Sequence, residues 1–145
     1  MIGLMVLRSA LPGVALAACV MFASPAFAET VSFKADLKAS EEVPPNDSKA
    51  TGTVTATYDT ASKKLTWKGN YSGLSGPATM AHFHGPAEPG KNAGVAVPIT
   101  PSASPFENSA NLTDAQAADL LAGRWYVNVH TGAHPGGEIR GQLVK

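Results

Sequence analysis

The chain has 145 residues, and its 11 basic and 11 acidic side chains balance to a formal net charge of zero at pH 7. The chain lacks the excess of basic residues that is typical of proteins that bind nucleic acid or anionic membrane surfaces. We therefore expect no nucleic-acid partner. The single cysteine, Cys19, excludes an internal disulfide and any cysteine-based zinc or iron–sulfur site.

The first 28 residues have the organisation of a secretory signal peptide. Arg8 supplies the positive start, an apolar stretch follows, and Ala26-Phe27-Ala28 is a small-x-small cleavage site. We therefore expect cleavage after Ala28, which leaves a domain of residues 29–145 that is periplasmic or secreted. A single membrane anchor is an alternative, but the apolar stretch is short and broken compared with the roughly 20 residues that a span needs.

A second alternative rests on Leu16-Ala17-Ala18-Cys19, which matches a bacterial lipoprotein box. Cleavage before Cys19 would leave a lipid-anchored protein, and a membrane contact is expected only if Cys19 is lipidated. Against this alternative, Val20, Met21 and Phe22 continue the apolar run where a lipoprotein usually has a polar tether.

Seven segments of the expected mature domain have the alternation or the composition of short β-strands. They are residues 30–39, 51–59, 65–71, 80–84, 94–100, 125–131 and 137–145. Pro98 predicts an edge position for its strand, because proline cannot donate a ladder hydrogen bond. Residues 101–111 and the Pro-rich loop 41–48 are predicted to be irregular, with Glu41 and Glu42 solvated.

One helix is predicted at about residues 113–122. Thr113 and Gln116 form a capping box, the alanines and leucines that follow favour helix, and Gly123 is placed to end it. Short strands with turn signals between them are typical of an antiparallel sandwich or barrel. We therefore predict a mainly β fold, an antiparallel Greek-key β-sandwich or barrel with this one short helix. The alternative is an open sheet with the helix packed on it.

The segment 80–84, Met-Ala-His-Phe-His, is the most distinctive in the chain. Side chains alternate along a strand, so His82 and His84 share one face and Phe83 takes the other. On a later predicted strand, His130 likewise lies opposite two valines. The histidines therefore lie on a more polar face than the core-forming residues, and they converge if the two strands are neighbours.

Three converging imidazoles, those of His82, His84 and His130, could hold a copper or zinc ion with one position open. Met80 is one strand step from His82, and its thioether would favour Cu(I). His134, in a glycine-rich loop, could act as a fourth ligand. The alternative is that these are surface or structural histidines hydrogen-bonded to the backbone, because an H-x-H pair alone is weak support for a metal site.

Arg140 is one of two arginines after residue 28 and lies two positions after Glu138. Two interpretations stay open. One is an internal Glu138–Arg140 pair that fixes the C-terminal segment, and the other is a catalytic arginine that attracts a small anion to the metal. Hydrolysis is not supported, because the mature domain has no Gly-x-Ser-x-Gly motif, no cysteine nucleophile and no obvious pair of carboxylates.

Several segments together resemble the CHRD domain, a family named for chordin and found in many exported bacterial proteins. They are LKASEEVPP at 37–45, Gly52, AHFHGPA at 81–87, LLAGRWYVNVHT at 120–131 and PGGEIRGQL at 135–143. The resemblance implies a β-sandwich, and it is carried by matches at His82, His84, Gly85, His130, Gly137, Glu138, Arg140 and Gly141. His134 falls at a more variable position. In chordin the domains accompany growth-factor-binding modules, so the resemblance implies no particular reaction.

A looser similarity is to copper–zinc superoxide dismutases, which are exported Greek-key barrels in many bacteria. Those enzymes also have an H-x-H pair on a strand, a later histidine and an arginine near the C-terminus that guides the anion. This chain has His82, His84, His130 and Arg140 in that order. It lacks the cysteine pair and the histidine-rich zinc loop, so the similarity implies a copper-only site at most.

Two functional hypotheses follow from these residues. In the first, the domain is an exported copper-binding β-sandwich, with zinc as the other candidate metal, and an open redox-active site would dismutate superoxide while Arg140 attracts the anion. In the second, it is a non-catalytic binding or adhesion module that binds another exported protein, and its His/Glu/Arg cluster is structural. Whether the chain is an enzyme stays open.

Overall fold

The computed structural model describes residues 27–145. Nearly all of the predicted signal peptide and the lipoprotein box with Cys19 lie outside the described residues, so both stay predictions. In the described part of the chain, no helix is long and apolar enough to cross a membrane.

The described residues form one antiparallel sheet, one α-helix and a short 3-10 turn. The strands are β1 (Thr30–Lys38), β2 (Thr51–Asp59), β3 (Lys64–Ser72), β4 (Ala78–His84), β5 (Val95–Pro98), β6 (Phe106–Asn111), β7 (Tyr126–Thr131) and β8 (Ile139–Gln142). The helix is α1 (Asp114–Leu121), and the 3-10 turn spans Ala39–Glu41. The order of the strands across the sheet is β5-β4-β7-β8-β1-β2-β3-β6.

The sheet curls until its inner face encloses the core. Trp67 of β3 packs edge to face on Phe83 of β4, with ring centroids 5.1 Å apart, although four strands separate β3 from β4 in the sheet. Trp125 packs on the same Phe83 ring at 5.9 Å. The predicted antiparallel β architecture with one short helix is therefore confirmed as a nearly closed barrel, in which the connection from β3 to β4 joins two strands that are not neighbours in the sheet.

Strands β5 and β6 are the two edges of the sheet. Side chains from α1 and β6 donate hydrogen bonds to β5 and to the segment that follows it. Gln116 of α1 donates to the Ala96 carbonyl of β5 at 3.0 Å, and Asn108 of β6 donates to the Thr100 carbonyl at 2.7 Å. Pro98 lies on edge strand β5, as predicted. These contacts occupy backbone carbonyls that an open edge would offer to another chain.

Residues 101–111 are predicted to be irregular, and this is wrong for residues 106–111. They form β6, which pairs with β3 from Lys64 opposite Asn111 to Gly69 opposite Phe106. Only Phe106 of this strand is buried, so its sequence lacks the hydrophobic alternation that reveals a strand. The hydrogen bonds to β3, and not the side chains of β6, determine this element.

Helix α1 lies where the sequence predicts it. The Gln116 N–H donates to Thr113 Oγ1 at 3.2 Å, and the Thr113 N–H donates to Gln116 Oε1 at 2.9 Å, so the capping box is present. Gly123 follows the helix with φ at +75°, a conformation that favours glycine. Leu120 is fully buried and fixes the helix against the barrel.

The outer face of β4, β7 and β8 is polar and yet largely buried. All six residues of β7 are buried, because two valines face the core and the polar side chains that alternate with them lie under loops. The loops 39–50 and 85–94 cover this face, and Arg140 of β8 donates to Asn92 Oδ1 in the second loop at 2.8 Å. Buried polar groups need hydrogen-bond partners, so this face holds an ordered polar layer.

Candidate functional site

Three histidines meet in this polar layer. Strands β4 and β7 are antiparallel neighbours, with Met80 opposite His130 and His82 opposite Asn128. One ring nitrogen from each of His82, His84 and His130 lies within 4.8 Å of the other two. The predicted convergence of the three histidines is therefore confirmed, and this group could hold a metal ion.

His82 and His130 approach each other most directly. His82 Nδ1 lies 3.2 Å from His130 Nε2, and His130 Nδ1 lies 2.9 Å from the Pro135 carbonyl oxygen. A carbonyl only accepts, so His130 carries its proton on Nδ1 when neutral, and its Nε2 lone pair points at His82. In the protein without metal, His82 Nδ1–H donates to that lone pair.

His84 is held at both of its ring nitrogens. Its Nδ1 lies 3.0 Å from the Ala93 carbonyl oxygen, and its Nε2 lies 2.9 Å from Asn128 Oδ1. Both partners of His84 are acceptors, so a neutral His84, which has one N–H, can donate to only one of them. Only His130 is thus fixed in the tautomer that leaves its Nε2 free to bind a metal.

Burial favours the neutral form of His82 and His84. Burial lowers the pKa of His82, and repulsion by His130 and His84 lowers it further. Burial also lowers the pKa of His84, against the raising effect of its hydrogen bonds to Ala93 and Asn128. Neutral imidazole is the form that binds a metal, so both shifts favour ligation at neutral pH.

A stack of side chains supports His84. The Tyr126 ring lies parallel to the His84 imidazole, with centroids 4.8 Å apart and planes at 4°, and the Arg140 guanidinium carbon lies 3.5 Å from the Tyr126 ring centroid. The Tyr126 hydroxyl contacts both the N–H and the carbonyl of Ala93 at 3.2 Å. Arg140 also donates to the Lys91 carbonyl. Arg140 and Tyr126 therefore position the loop carbonyl that orients His84.

Arg140 and Glu138 do not form the predicted pair. Arg140 is 2 % exposed, donates to Asn92 and Lys91, and belongs to none of the ion pairs in the described part of the chain. The pair is absent because both side chains already have other partners in the loops. The catalytic role predicted for Arg140 stays a prediction, and the exposed fraction shows that an anion in solvent would not contact it in this conformation.

Glu138 is instead the centre of its own cluster. It is fully buried and accepts hydrogen bonds of 2.7 Å from the hydroxyls of Ser48, Ser75 and Thr131, and a fourth from the Ser75 N–H at 2.9 Å. Burial alone would raise the pKa of Glu138, but these hydrogen bonds outweigh it and lower the pKa to about 2. The carboxylate therefore joins the loops that contain Ser48 and Ser75 to the end of β7.

Glu42 is predicted to be solvated, and this is wrong. It is 5 % exposed, and its Oε1 has no hydrogen-bond partner among the described residues. Burial raises the pKa of Glu42 to about 7, against the lowering effects of the Arg140 charge and of hydrogen bonds from Asn128 and Val43. The loop that contains Glu42 has no alternation of apolar and polar residues from which its burial could be predicted. The motif at 37–45, which carries the family resemblance, is the signal that points to this residue.

The two auxiliary ligands that the sequence predicts lie beside the group. Met80 is 48 % exposed and lies opposite His130 across the β4–β7 pair, so its thioether is on the solvent side of the site. His134 lies in the loop after β7, is partly exposed, and is not part of the three-histidine group. The ligand roles of Met80 and His134 stay predictions.

A groove of about 530 Å³ lies away from the histidines, on the outer face of β2, β3 and β6. Threonines and lysines line much of it, among them Thr55, Thr66 and Lys68. It contains no residue of the histidine group, so it does not bear on the chemistry of that site.

The fold and the site define a class of protein, a small antiparallel β-barrel domain whose outer face buries a histidine group under two loops. The family model of the CHRD domain matches residues 33–143, which is most of the chain, so this chain belongs to the CHRD domain family. The resemblance seen in the sequence is thereby confirmed. Searches of the curated proteins and of the solved structures found no significant match.

Proposed function

We propose that this CHRD domain is exported and binds one copper ion through His82, His84 and His130. The observation that carries the proposal is the distance of 3.2 Å between His82 Nδ1 and His130 Nε2. Two nitrogens bound to one tetrahedral metal, each at about 2.0–2.1 Å, lie about 3.3 Å apart. Two ligand atoms are thus already near the separation that a metal requires.

The hydrogen bonds behind the histidines support the same proposal. A histidine that binds a metal almost always donates its other ring N–H to a carboxylate, a backbone carbonyl or a water. His130 Nδ1 does so to the carbonyl of Pro135, and His84 Nδ1 lies 3.0 Å from the carbonyl of Ala93. A structural histidine needs only to be satisfied, whereas here a backbone carbonyl fixes the tautomer of His130, whose Nε2 faces His82 Nδ1.

Copper is favoured over the other metals that accept imidazole. Affinity along the first-row divalent series is greatest for Cu²⁺, and the group has no carboxylate that would favour a harder ion. Met80 offers a thioether on the open side of the site, and thioethers favour Cu(I). Zinc is the second candidate, because three histidines with one open position also suit it.

The reaction that we propose to test is superoxide dismutation. His82 is only partly buried and Met80 is 48 % exposed, so a small anion could reach this side of the group. Copper that alternates between two oxidation states would supply the electron exchange by which two superoxide ions and two protons become oxygen and hydrogen peroxide. The positive charge of Arg140 would attract the anion from behind the Tyr126 ring.

The decisive experiment is a metal titration of the protein purified without an affinity tag. Cu(I), Cu(II) and Zn(II) are titrated separately into the wild type and into the His82→Ala/His84→Ala double variant. We expect one copper per chain in the wild type and none in the double variant. The matched control is His134→Ala, which removes a histidine outside the group and should retain the copper.

Two outcomes would contradict parts of the proposal. If the wild type does not bind copper tightly, the histidine group is structural, and the domain is better treated as a module that binds another exported protein. If copper binds but His82→Ala has the same superoxide activity as the wild type, or zinc restores activity as well as copper does, the enzymatic proposal fails while the metal site stands.

A further inference from the structure

The groove on the outer face of β2, β3 and β6 is separate from the histidine group. Two adjoining cavities, of about 530 Å³ and about 520 Å³, form it, and both are lined by Thr55, Lys68 and Glu107. Along β3 the groove extends from Lys64 to Asn70, a distance of about 20 Å for seven strand residues. The groove is therefore continuous, and its length suits a chain-like ligand.

Threonine hydroxyls that have no protein partner line this groove. They belong to Thr53, Thr55, Thr57 and Thr66. None of these hydroxyls takes part in a hydrogen bond within the described part of the chain, whereas those of Ser48 and Thr131 in the polar layer are bonded to Glu138. A hydroxyl can both donate and accept, so the groove has hydrogen-bonding capacity that the fold itself does not use.

The strands hold these hydroxyls in fixed positions. Thr57 lies directly opposite Thr66 in the β2–β3 pair, and Thr55 lies directly opposite Lys68. Threonine is branched at Cβ and has few rotamers, so little conformational entropy is lost when its hydroxyl binds a ligand. The groove therefore has an ordered array of hydroxyls before any ligand arrives.

The groove also has a local excess of positive charge. Lys64 and Lys68 are exposed and belong to none of the ion pairs in the described part of the chain, and Glu107 is the one acidic residue that lines the groove. The described residues as a whole have slightly more acidic than basic side chains. A positive groove on such a domain attracts an anionic ligand to this face.

Other classes of ligand do not suit this lining. The exposed large apolar side chains of the described residues, such as Met80, Val95 and Val144, all lie outside the groove. The core of a protein–protein interface needs aromatic or large apolar anchors, and a pocket for an apolar small molecule needs apolar walls. Two lysines beside a glutamate are also too few positive charges for nucleic acid.

We propose that this groove binds an acidic sugar chain, with the threonine hydroxyls bonded to its hydroxyl groups and Lys64 and Lys68 paired with its carboxylates. The two lysines are four residues apart on one face of β3, so their Cα atoms are separated by about 13 Å and they contact carboxylates on different sugar units. Glu107 accepts hydrogen bonds from hydroxyls of the same chain.

The first test is an NMR titration of the wild-type protein with three hexamers at up to millimolar concentrations. Hexagalacturonate has both hydroxyls and carboxylates, maltohexaose has hydroxyls alone, and hexaglutamate has carboxylates alone. We expect hexagalacturonate to bind most tightly and to shift amide signals of β2, β3 and β6. No shift of these signals, or equally tight binding of either of the other hexamers, would overturn the proposal.

The second test removes one group at a time. Thr55→Val keeps the branched shape and loses the hydroxyl, and the lost hydrogen bond should weaken hexagalacturonate binding by about 2- to 10-fold. The matched control is Thr79→Val, at an exposed threonine of β4 outside the groove, which should not change the affinity. Equal affinities of Thr55→Val and wild type would refute the role of the hydroxyls.

Lys68→Gln tests the charge in the same way. The variant should bind hexagalacturonate more weakly, and its affinity should depend less on salt than that of the wild type. Lys145→Gln, at an exposed lysine near the end of the chain, is the control. The same affinity and salt dependence in Lys68→Gln and wild type would refute the charge pairing. Because the groove contains no residue of the histidine group, these results do not depend on whether copper binds.

Discussion

Gly137 lies directly against the carboxyl group of Glu42. A Cβ placed on Gly137 would overlap Glu42 Oε1 and would lie 2.7 Å from Asn128 Nδ2, and the φ of Gly137 is +128°, where side chains are rarely found. The backbone between His134 and Glu138 thus leaves room for a buried acid only because residue 137 has no side chain. This contact connects the loop after β1 to the histidine layer.

Gly137→Ala should therefore destabilise the protein by about 2–4 kcal/mol, through steric overlap and an unfavourable backbone conformation. Urea unfolding measures the change in the free energy of unfolding. Gly136→Ala is the control, since a Cβ there would meet nothing within 4 Å, and it should change the stability by less than about 0.5 kcal/mol. Equal effects in the two variants would show that the space beside Glu42 does not matter.

Glu42→Gln should change how stability depends on pH. The pKa of Glu42 is about 7 in the folded protein against an ordinary value of 4.5, so the folded state holds the proton more tightly than the unfolded state. The stability contributed by Glu42 is then complete below pH 4.5 and is lost as the pH rises to about 7. Relative to wild type, the free energy of unfolding of the variant should rise by up to about 3 kcal/mol between pH 4 and pH 8.

The control for that experiment is Glu41→Gln, since Glu41 is the exposed neighbour of Glu42. The difference in the free energy of unfolding between Glu41→Gln and wild type should stay constant over the same range of pH. If the difference in the free energy of unfolding between Glu42→Gln and wild type is also independent of pH, Glu42 titrates as an ordinary exposed acid and its burial has no energetic consequence.

Glu138→Gln should show the opposite dependence on pH. The pKa of Glu138 is lowered to about 2, so its stabilising effect is complete above pH 4.5 and is lost as the pH falls to about 2. The variant should be less stable than wild type by about 3 kcal/mol at pH 7, with a smaller difference near pH 2. Denaturant unfolding at several pH values, beside the exposed control Glu107→Gln, checks both the size and the direction.

Arg140→Lys separates the two roles of Arg140. A lysine keeps the charge but cannot reproduce the flat stack on Tyr126 or the two hydrogen bonds to the loop. We expect a loss of about 1–3 kcal/mol in stability and weaker copper binding, because the Ala93 carbonyl loses its support. Arg124→Lys, at a partly exposed arginine, is the control. If copper affinity and the salt dependence of superoxide turnover are both unchanged, the charge that lysine retains is sufficient, and Arg140 acts as an anion guide and not through the loop.

Met80→Leu tests whether the thioether takes part. Met80 is 48 % exposed, so the substitution should leave thermal stability nearly unchanged. If sulfur is a ligand, Cu(I) affinity should fall while Cu(II) and Zn(II) affinities change little, because thioethers favour the softer ion. Equal affinities of wild type and variant for Cu(I) would limit the site to histidines.

The parts of the fold that local patterns specify are the parts that could be predicted. The alternation of apolar and polar residues in β1, β3 and β7 follows because one face of the sheet forms the core of the barrel, and the Thr113–Gln116 capping box marks the start of the helix within the chain itself. Strand β6 could not be found in this way, since its residues are mostly exposed and its conformation depends on hydrogen bonds to β3.

For the site, the sequence by itself determined that His82 and His84 share a face opposite Phe83, because side-chain alternation in a strand is a local property. It could not place β4 beside β7, bury Glu42, separate Arg140 from Glu138 or set Asn128 against His84. Those relationships depend on the pairing of β4 with β7 and on the two loops that cover the outer face of the barrel. They depend on contacts between residues far apart in the chain, which local patterns do not encode, and on the desolvation that those loops impose on polar groups.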